Sequence, residues 1–281
     1  MMETKTLYVS DLDGTLLRSD ISLSDFTVAT INELVEKGMA FTYATARSIE
    51  SAGKLTSGLK LKLPVVTRNG AVLADNATGQ VLEKAVFKED EISLLKKLLP
   101  ELPVCGFVSC FIGEKMIKNY IAGDHSEGLD GYIEYHGKSG HPLVCVEDTD
   151  ALFCGEPGYV TLISDREFLE PVYDRVREYP GWECVFSKDT YRDEFWLEIC
   201  PRNCTKAKSL LKLKERYGFD KLVVFGDAVN DIPMFKLADE AYAVKDAIEE
   251  LKQLATDVIG SNNEDAVAKF LKGESISGTV L

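Results

Sequence analysis

No apolar run in this 281-residue chain approaches the roughly 20 residues that a membrane-spanning helix needs. The opening MMETKTLYVSDLDG also lacks the basic start and long apolar stretch of a signal peptide, so a soluble, cytoplasmic protein is expected. Basic residues are the minority charge. Thirty-two Lys and Arg against 46 Asp and Glu leave a net charge of −14, a sign that repels nucleic-acid backbones and anionic membrane surfaces. Neither nucleic acid nor membrane is expected as a partner. Histidine is scarce, and His125, His136 and His141 stand at no metal-ligand spacing and form no triad, so they read as surface or polar-core residues. The seven cysteines are an odd number at irregular spacings with no CxxC pair, which reads as a reduced thiol set, with Cys105 and Cys110 as small packing residues. There is no internal repeat, no low-complexity tract and no heptad run, so oligomeric state is not legible.

What is present is an ordinary globular balance, 45% apolar and 28% charged, enough for one or two domains with buried cores. The first fifth alternates strands with helical periods: strand at Thr6–Ser10, helix at Ser24–Lys37 with Ser24 as N-cap and Gly38 as stop, then strands at 39–45 and 64–67. Alternation resumes near Thr205, with helices at 206–217, 231–237, 247–255 and 264–271 and strands at 222–225, 241–244 and 257–259. Such order predicts an α/β fold with a Rossmann-like doubly wound parallel sheet. Between them lies different texture: longer strand-like runs at 104–112, 116–121, 159–163 and 183–186, and two helical stretches, 89–99 and 166–179. This reads as an inserted α+β cap over 83–198, with 1–82 and 199–281 forming the core. Trp182 and Trp196 are expected to pack inside the insertion, the run 188–194 reads as a solvated turn, and GESISGTVL as a loosely held tail.

The chemistry concentrates at predicted strand ends. LYVSDLDGTLL carries Asp11 and Asp13 where a hydrophobic strand stops, with Gly14 permitting a sharp turn. Ligands of open parallel sheets bind at such carboxyl ends, and two neighbouring carboxylates suit nucleophilic and acid–base roles. The alternative is a turn or helix cap. LVVFGDAVNDIPM repeats the layout with Asp227, Asn230 and Asp231, supplying the oxygen ligands that Mg²⁺ prefers, and Pro233 falls in a first helical turn where its missing N–H costs little. Thr45 ends another strand, followed by Arg47, and its hydroxyl suits a phosphoryl oxygen. Lys206 opens a helix, where its ammonium offsets acidic charge.

Asp11-Leu12-Asp13-Gly14-Thr15-Leu16, Thr45, Lys206 and Gly226-Asp227-Ala228-Val229-Asn230-Asp231 resemble, in order, the four motifs of haloacid dehalogenase superfamily phosphatases. The long insertion after Asn69-Gly70-Ala71 resembles the Cof-type subfamily, which carries an α/β cap there. The resemblance implies Asp11 as nucleophile, Asp13 as general acid/base, and Thr45 and Lys206 as stabilisers of phosphate and intermediate. It implies a Mg²⁺ site from Asp11, Asp227 and Asp231 with the Asp13 backbone carbonyl. Asn230 is expected to order the loop and the phosphoryl environment, and Arg47 and Asn69 to face the region where substrate enters. Ala46, Ala207 and Lys245-Asp246 depart from residues common in the family, and none removes a catalytic group.

The function implied is hydrolysis of a small-molecule phosphate ester, a sugar phosphate by analogy with similar subfamily members. Two alternatives share these residues: a phosphotransferase or phosphomutase on the same scaffold, and a non-catalytic phosphate-binding protein. The intact set Asp11, Asp13, Lys206 and Asp227 argues against the last, because buried charges are costly to keep without a metal or ligand.

Overall fold

The structure, a computed structural model, describes residues 4–102, 106–113, 115–122, 127–138, 143–189, 192–202 and 204–273. Strand β1 (Thr6–Ser10), with Leu7 and Val9 fully buried, leads directly into Asp11. Helix α1 (Asp25–Glu36) starts where the Ser24 hydroxyl accepts the Thr27 N–H at 3.0 Å and ends before Gly38, whose φ of +103° suits glycine. Strand β2 (Ala40–Tyr43) pairs in parallel with β1, and α2 (Ile49–Leu55) begins at the cap Ser48. Strands β3 (Val65–Thr67), β4 (Val72–Ala74) and β5 (Val81–Lys84) form a small sheet, joined to the line of β2 by a parallel bridge from Ala44 to Val66.

The chain then builds α3 (Glu89–Leu98), β6 (Gly106–Ile112), β7 (Lys115–Ile121), α4 (Glu127–Lys138), β8 (Leu143–Val146), α5 (Thr149–Leu152), β9 (Glu156–Ser164), α6 (Arg166–Val176), β10 (Trp182–Lys188) and β11 (Phe195–Pro201). The six strands lie in the order β10-β11-β9-β6-β7-β8. On one face Leu95, Leu98, Leu169 and Val172 of α3 and α6 pack on Val108, Val160, Leu162 and Leu197. On another, Phe107, Leu129 and Ile163 form a smaller cluster. The expectation of only two helices here is therefore corrected: α4 is a third, and α5 a short fourth. Trp182 is buried in the larger cluster, and Trp196 meets Tyr132 edge-on at 5.5 Å between ring centroids. In the run 188–194, Lys188 pairs with Asp193 at 2.9 Å, while Thr190 and Tyr191 lie outside the described residues, as do Cys105, His125, His141, the side chain of His136 and the tail beyond 273. No disulfide joins the six described cysteines.

The last third restores the first pattern with α7 (Lys206–Tyr217), β12 (Lys221–Gly226), α8 (Ile232–Leu237), β13 (Glu240–Ala243), α9 (Glu249–Leu254), β14 (Asp257–Val258) and α10 (Ala266–Leu271). The resulting parallel sheet runs β14-β13-β12-β1-β2. Pro233 sits in the first turn of α8. The chain divides into two compact units, Met1–Glu83 with Thr205–Leu281, and Lys84–Cys204. Among the described residues no helix is long and apolar enough to cross a membrane. In the first unit the chain leaves β1 toward β2 and β3 and returns on the other side at β12. That reversal is the topological switch point, where open α/β sheets place their ligands.

Candidate active site

The carboxyl ends of β1 and β12 are neighbours across this switch point. The pairing continues one residue past β1, where the Asp11 N–H donates to the Phe225 carbonyl at 2.9 Å, and the chain then turns through Gly14 at φ +77°. A methyl group on Gly14 would lie 2.4 Å from Asp227 Oδ2, so glycine here lets the second acidic loop come close. Thr15, in the same turn, donates from its hydroxyl to Asp227 Oδ1 at 2.7 Å. That contact was not anticipated, although Thr15 stands inside the Asp-rich motif that would have drawn attention to it.

Lys206, opening α7, is fully buried, and its Nζ lies 2.5 Å from Asp11 Oδ1 and 2.7 Å from Asp231 Oδ1. The other oxygen of Asp231 accepts the backbone N–H groups of Asp227 at 3.0 Å and Ala228 at 3.1 Å, tying down the loop after β12. α7 is positioned by the turn after β3, where Arg68, Asn69 and Gly70 all have positive φ. There the Gly70 carbonyl accepts the Ser209 hydroxyl at 2.8 Å.

One carboxylate oxygen from each of Asp11, Asp227 and Asp231 falls within 4.8 Å of the others. Burial pushes Asp11 well above the usual carboxylate range, Lys206 pulls it back, and the other acids push it up again. Asp227 is raised to about 7, chiefly by burial and then by Asp231, against the hydrogen bond from Thr15. For Lys206 burial works against the ammonium, but Asp11 and Asp231 outweigh it and its pKa is raised. One ammonium thus leaves a surplus of buried negative charge. An all-oxygen donor set of this kind fits a hard divalent cation.

Thr45 is buried just past β2. Its hydroxyl accepts the Arg47 N–H at 3.1 Å and its carbonyl accepts the Asn69 N–H at 3.0 Å. The Asp13 carboxylate meets Arg47, whose Nε and Nη2 lie 2.7 and 2.6 Å from it. Asn69 is buried and its Oδ1 accepts from Asn230 Nδ2 at 3.0 Å. The expected site residues therefore form two groups in the first unit: Asp11, Lys206, Asp227 and Asp231 in one, and Asp13, Thr45, Arg47, Asn69 and Asn230 linked through the turns after β2 and β3.

Residues 8–271 match the haloacid dehalogenase-like hydrolase family. The chain belongs to that family. Among similar haloacid dehalogenase-like proteins is a 5-amino-6-(5-phospho-D-ribitylamino)uracil phosphatase of Bacillus subtilis, 26% identical, with 96% of this chain and 98% of the relative covered. A Haemophilus influenzae protein named as a phosphatase is 26% identical over 94% of each chain. The crystal structure of a Streptococcus mutans protein shares the fold at TM-score 0.77 and 22% identity, over 96% of this chain and 98% of that one. A HAD/COF-like hydrolase from Plasmodium vivax does so at 0.76 and 21%, over 96% of each. Fold and family agree with the Cof-type haloacid dehalogenase architecture expected from the motifs.

Proposed function

We propose that this phosphoric monoester hydrolase is a Mg²⁺-dependent phosphatase of small phosphorylated metabolites, sugar phosphates foremost, acting through a phosphorylated Asp11. The observation that carries the reading is Lys206, buried and bonded to both Asp11 and Asp231 at the switch point of the sheet. Asp11, Asp227 and Asp231, with the Asp13 backbone carbonyl, would hold the ion. When bound, Mg²⁺ supplies positive charge that offsets the charge of the phosphoryl group.

In the first step an Asp11 carboxylate oxygen bonds to phosphorus. The ester P–O bond breaks, its electron pair leaves with the substrate oxygen, and that oxygen takes a proton from Asp13. In the second step a water oxygen bonds to phosphorus while Asp13 takes its proton. The bond to Asp11 breaks, the carboxylate is restored and inorganic phosphate leaves. Lys206 keeps the charge of Asp11 balanced throughout. The Thr45 hydroxyl, which accepts from Arg47, keeps its own hydrogen to donate to a phosphoryl oxygen. Asn230 and Asn69, joined side chain to side chain, order the loop beside it. The insertion 84–204 is the part that would choose among leaving groups, and the cytoplasm is the compartment this reading assigns.

The test is phosphate release from sugar phosphates, nucleotides, pyridoxal phosphate, 5-amino-6-(5-phospho-D-ribitylamino)uracil and p-nitrophenyl phosphate, with Mg²⁺ or EDTA, for the parent and Asp11→Asn. Metal-dependent release that vanishes in Asp11→Asn supports the reading. Conversion of a sugar phosphate to its isomer with little free phosphate would replace it with a mutase.

A further inference from the structure

The guanidinium of Arg47 makes a two-pronged contact with Asp13: Nε to Oδ2 at 2.7 Å and Nη2 to Oδ1 at 2.6 Å. Its third nitrogen, Nη1, donates to the Ser51 hydroxyl at 3.1 Å on the first turns of α2. The backbone of Arg47 is fixed as well, its N–H on the Thr45 hydroxyl and its carbonyl accepting the Arg68 N–H at 2.9 Å. The arm is therefore anchored at base, middle and tip, and the planar fork sets the plane of the carboxylate it meets.

We propose that Arg47 is a positioning residue for the acid–base step: it holds the Asp13 carboxyl in the orientation needed for proton transfer, rather than serving as a phosphate ligand. The inference rests on the phosphatase reading above. The two catalytic carboxylates each have their own cation. Lys206 balances the nucleophile Asp11, and Arg47 orients the proton carrier Asp13. A carboxylate has about four lone-pair positions, of which the fork uses one on each oxygen. The proton exchanged with the leaving oxygen, and later with water, travels through another of them while the plane stays fixed. A lysine at position 47 keeps the charge but, having a single point of contact, does not fix that plane.

The experiment compares the parent with Arg47→Lys, Ser51→Ala, Asp13→Asn and the double variant Arg47→Lys/Asp13→Asn, each first checked for a parent-like thermal midpoint. Two substrates are used: an alkyl sugar phosphate, whose leaving oxygen needs a proton, and p-nitrophenyl phosphate, whose leaving group does not. Single-turnover cleavage of the sugar phosphate by Arg47→Lys is expected to fall by about 10 to 100-fold, a part of the roughly 10²–10⁴-fold that a positioned acid–base group contributes. The nitrophenolate burst stays within about 3-fold of the parent, and the substrate concentration giving half-maximal single-turnover rate changes by less than about 3-fold for either substrate, because ground-state binding is untouched. Ser51→Ala gives the same selective pattern at smaller size. The double variant is no slower than Asp13→Asn alone, since the arginine acts through that carboxyl. Equal losses on both substrates, carried by that half-saturating concentration, would overturn the proposal in favour of a phosphate-binding arginine, and so would additive losses in the double variant. A parent enzyme that releases no phosphate, or an Asp11→Asn variant that keeps the activity, would instead remove the phosphatase reading itself.

Discussion

Gly70 sits where a side chain has no room. Its φ is +104°, and a methyl group would lie 2.3 Å from the Thr205 carbonyl oxygen and 3.0 Å from the Lys206 nitrogen, backbone atoms that open the helix carrying the lysine. Gly70→Ala is expected to cost about 2 kcal/mol or more, from the strained φ and the clash together, and to lower phosphatase activity by displacing Lys206. Urea denaturation and steady-state kinetics on the same preparation check both. Lys206→Met makes a sharper case, because it strands two buried carboxylates. Breaking a buried pair typically costs about 3–5 kcal/mol, and that loss is expected in EDTA, with part of it restored by saturating Mg²⁺. Equal stability of parent and variant in EDTA would show that Lys206 is not the counter-charge. Asp11, Asp13, Asp227 and Asp231 were legible in the sequence because they sit at the ends of strongly apolar strands. The partnership of Thr15 with Asp227 was not, because a hydroxyl's acceptor 212 residues away leaves no local pattern.

Among the elements, one carboxylate ties the start of α10 to the start of α1. Asp265, at φ +59°, accepts from Arg18 at 2.8 Å, from the N-cap hydroxyl of Ser24 at 2.7 Å and from Thr27 at 3.2 Å. Burial pushes its pKa up, but these hydrogen bonds and the Arg18 charge prevail and leave it lowered. A carboxyl lowered in the folded state stabilises the fold above its unfolded pKa, about 3.9 for aspartate, and that stabilisation disappears as pH falls through the folded value. Asp265→Asn is therefore expected to lower stability by about 1.5–3 kcal/mol near neutrality, the size of hydrogen bonds to a charged group. The gap to the parent closes in acid. A gap that persists unchanged below pH of about 3 would mean that the charge is not its source. The strands of the parallel sheet and most of its helices were read from sequence to within a few residues because capping and periodicity coincide there, whereas the seven-residue α2 was not read. The α4 helix was missed for a physical reason. Gly128, Gly131 and Gly137 depress its helix propensity, yet a methyl group on Gly128 would lie 2.8 Å from Ile163 Cγ2, so the glycine that hides the helix also lets it approach β9.

For the whole molecule, the charge and the site pull in opposite directions. A chain of net charge −14 handling an anionic substrate needs local cations, and the structure supplies Lys206 and Arg47 beside the two acids of the first motif, while the three-acid cluster fits a divalent ion. Sequence order told which strand ends carry acids but not that β12 lies next to β1, a neighbour relation created by the return of the chain after more than a hundred inserted residues. Nor did it show that Arg47 meets Asp13 rather than open solvent, since side-chain pairing across turns depends on tertiary placement. The central claim, that phosphate passes through Asp11, has a direct measurement. Enzyme quenched during turnover of a sugar phosphate is reduced with borohydride, which converts a phosphorylated aspartate to homoserine, and the site is mapped by peptide mass spectrometry. The account predicts homoserine at position 11, dependent on substrate and Mg²⁺ and absent from Asp11→Asn. Full phosphatase turnover with aspartate intact at position 11 under every quench, or homoserine at another position, would contradict it.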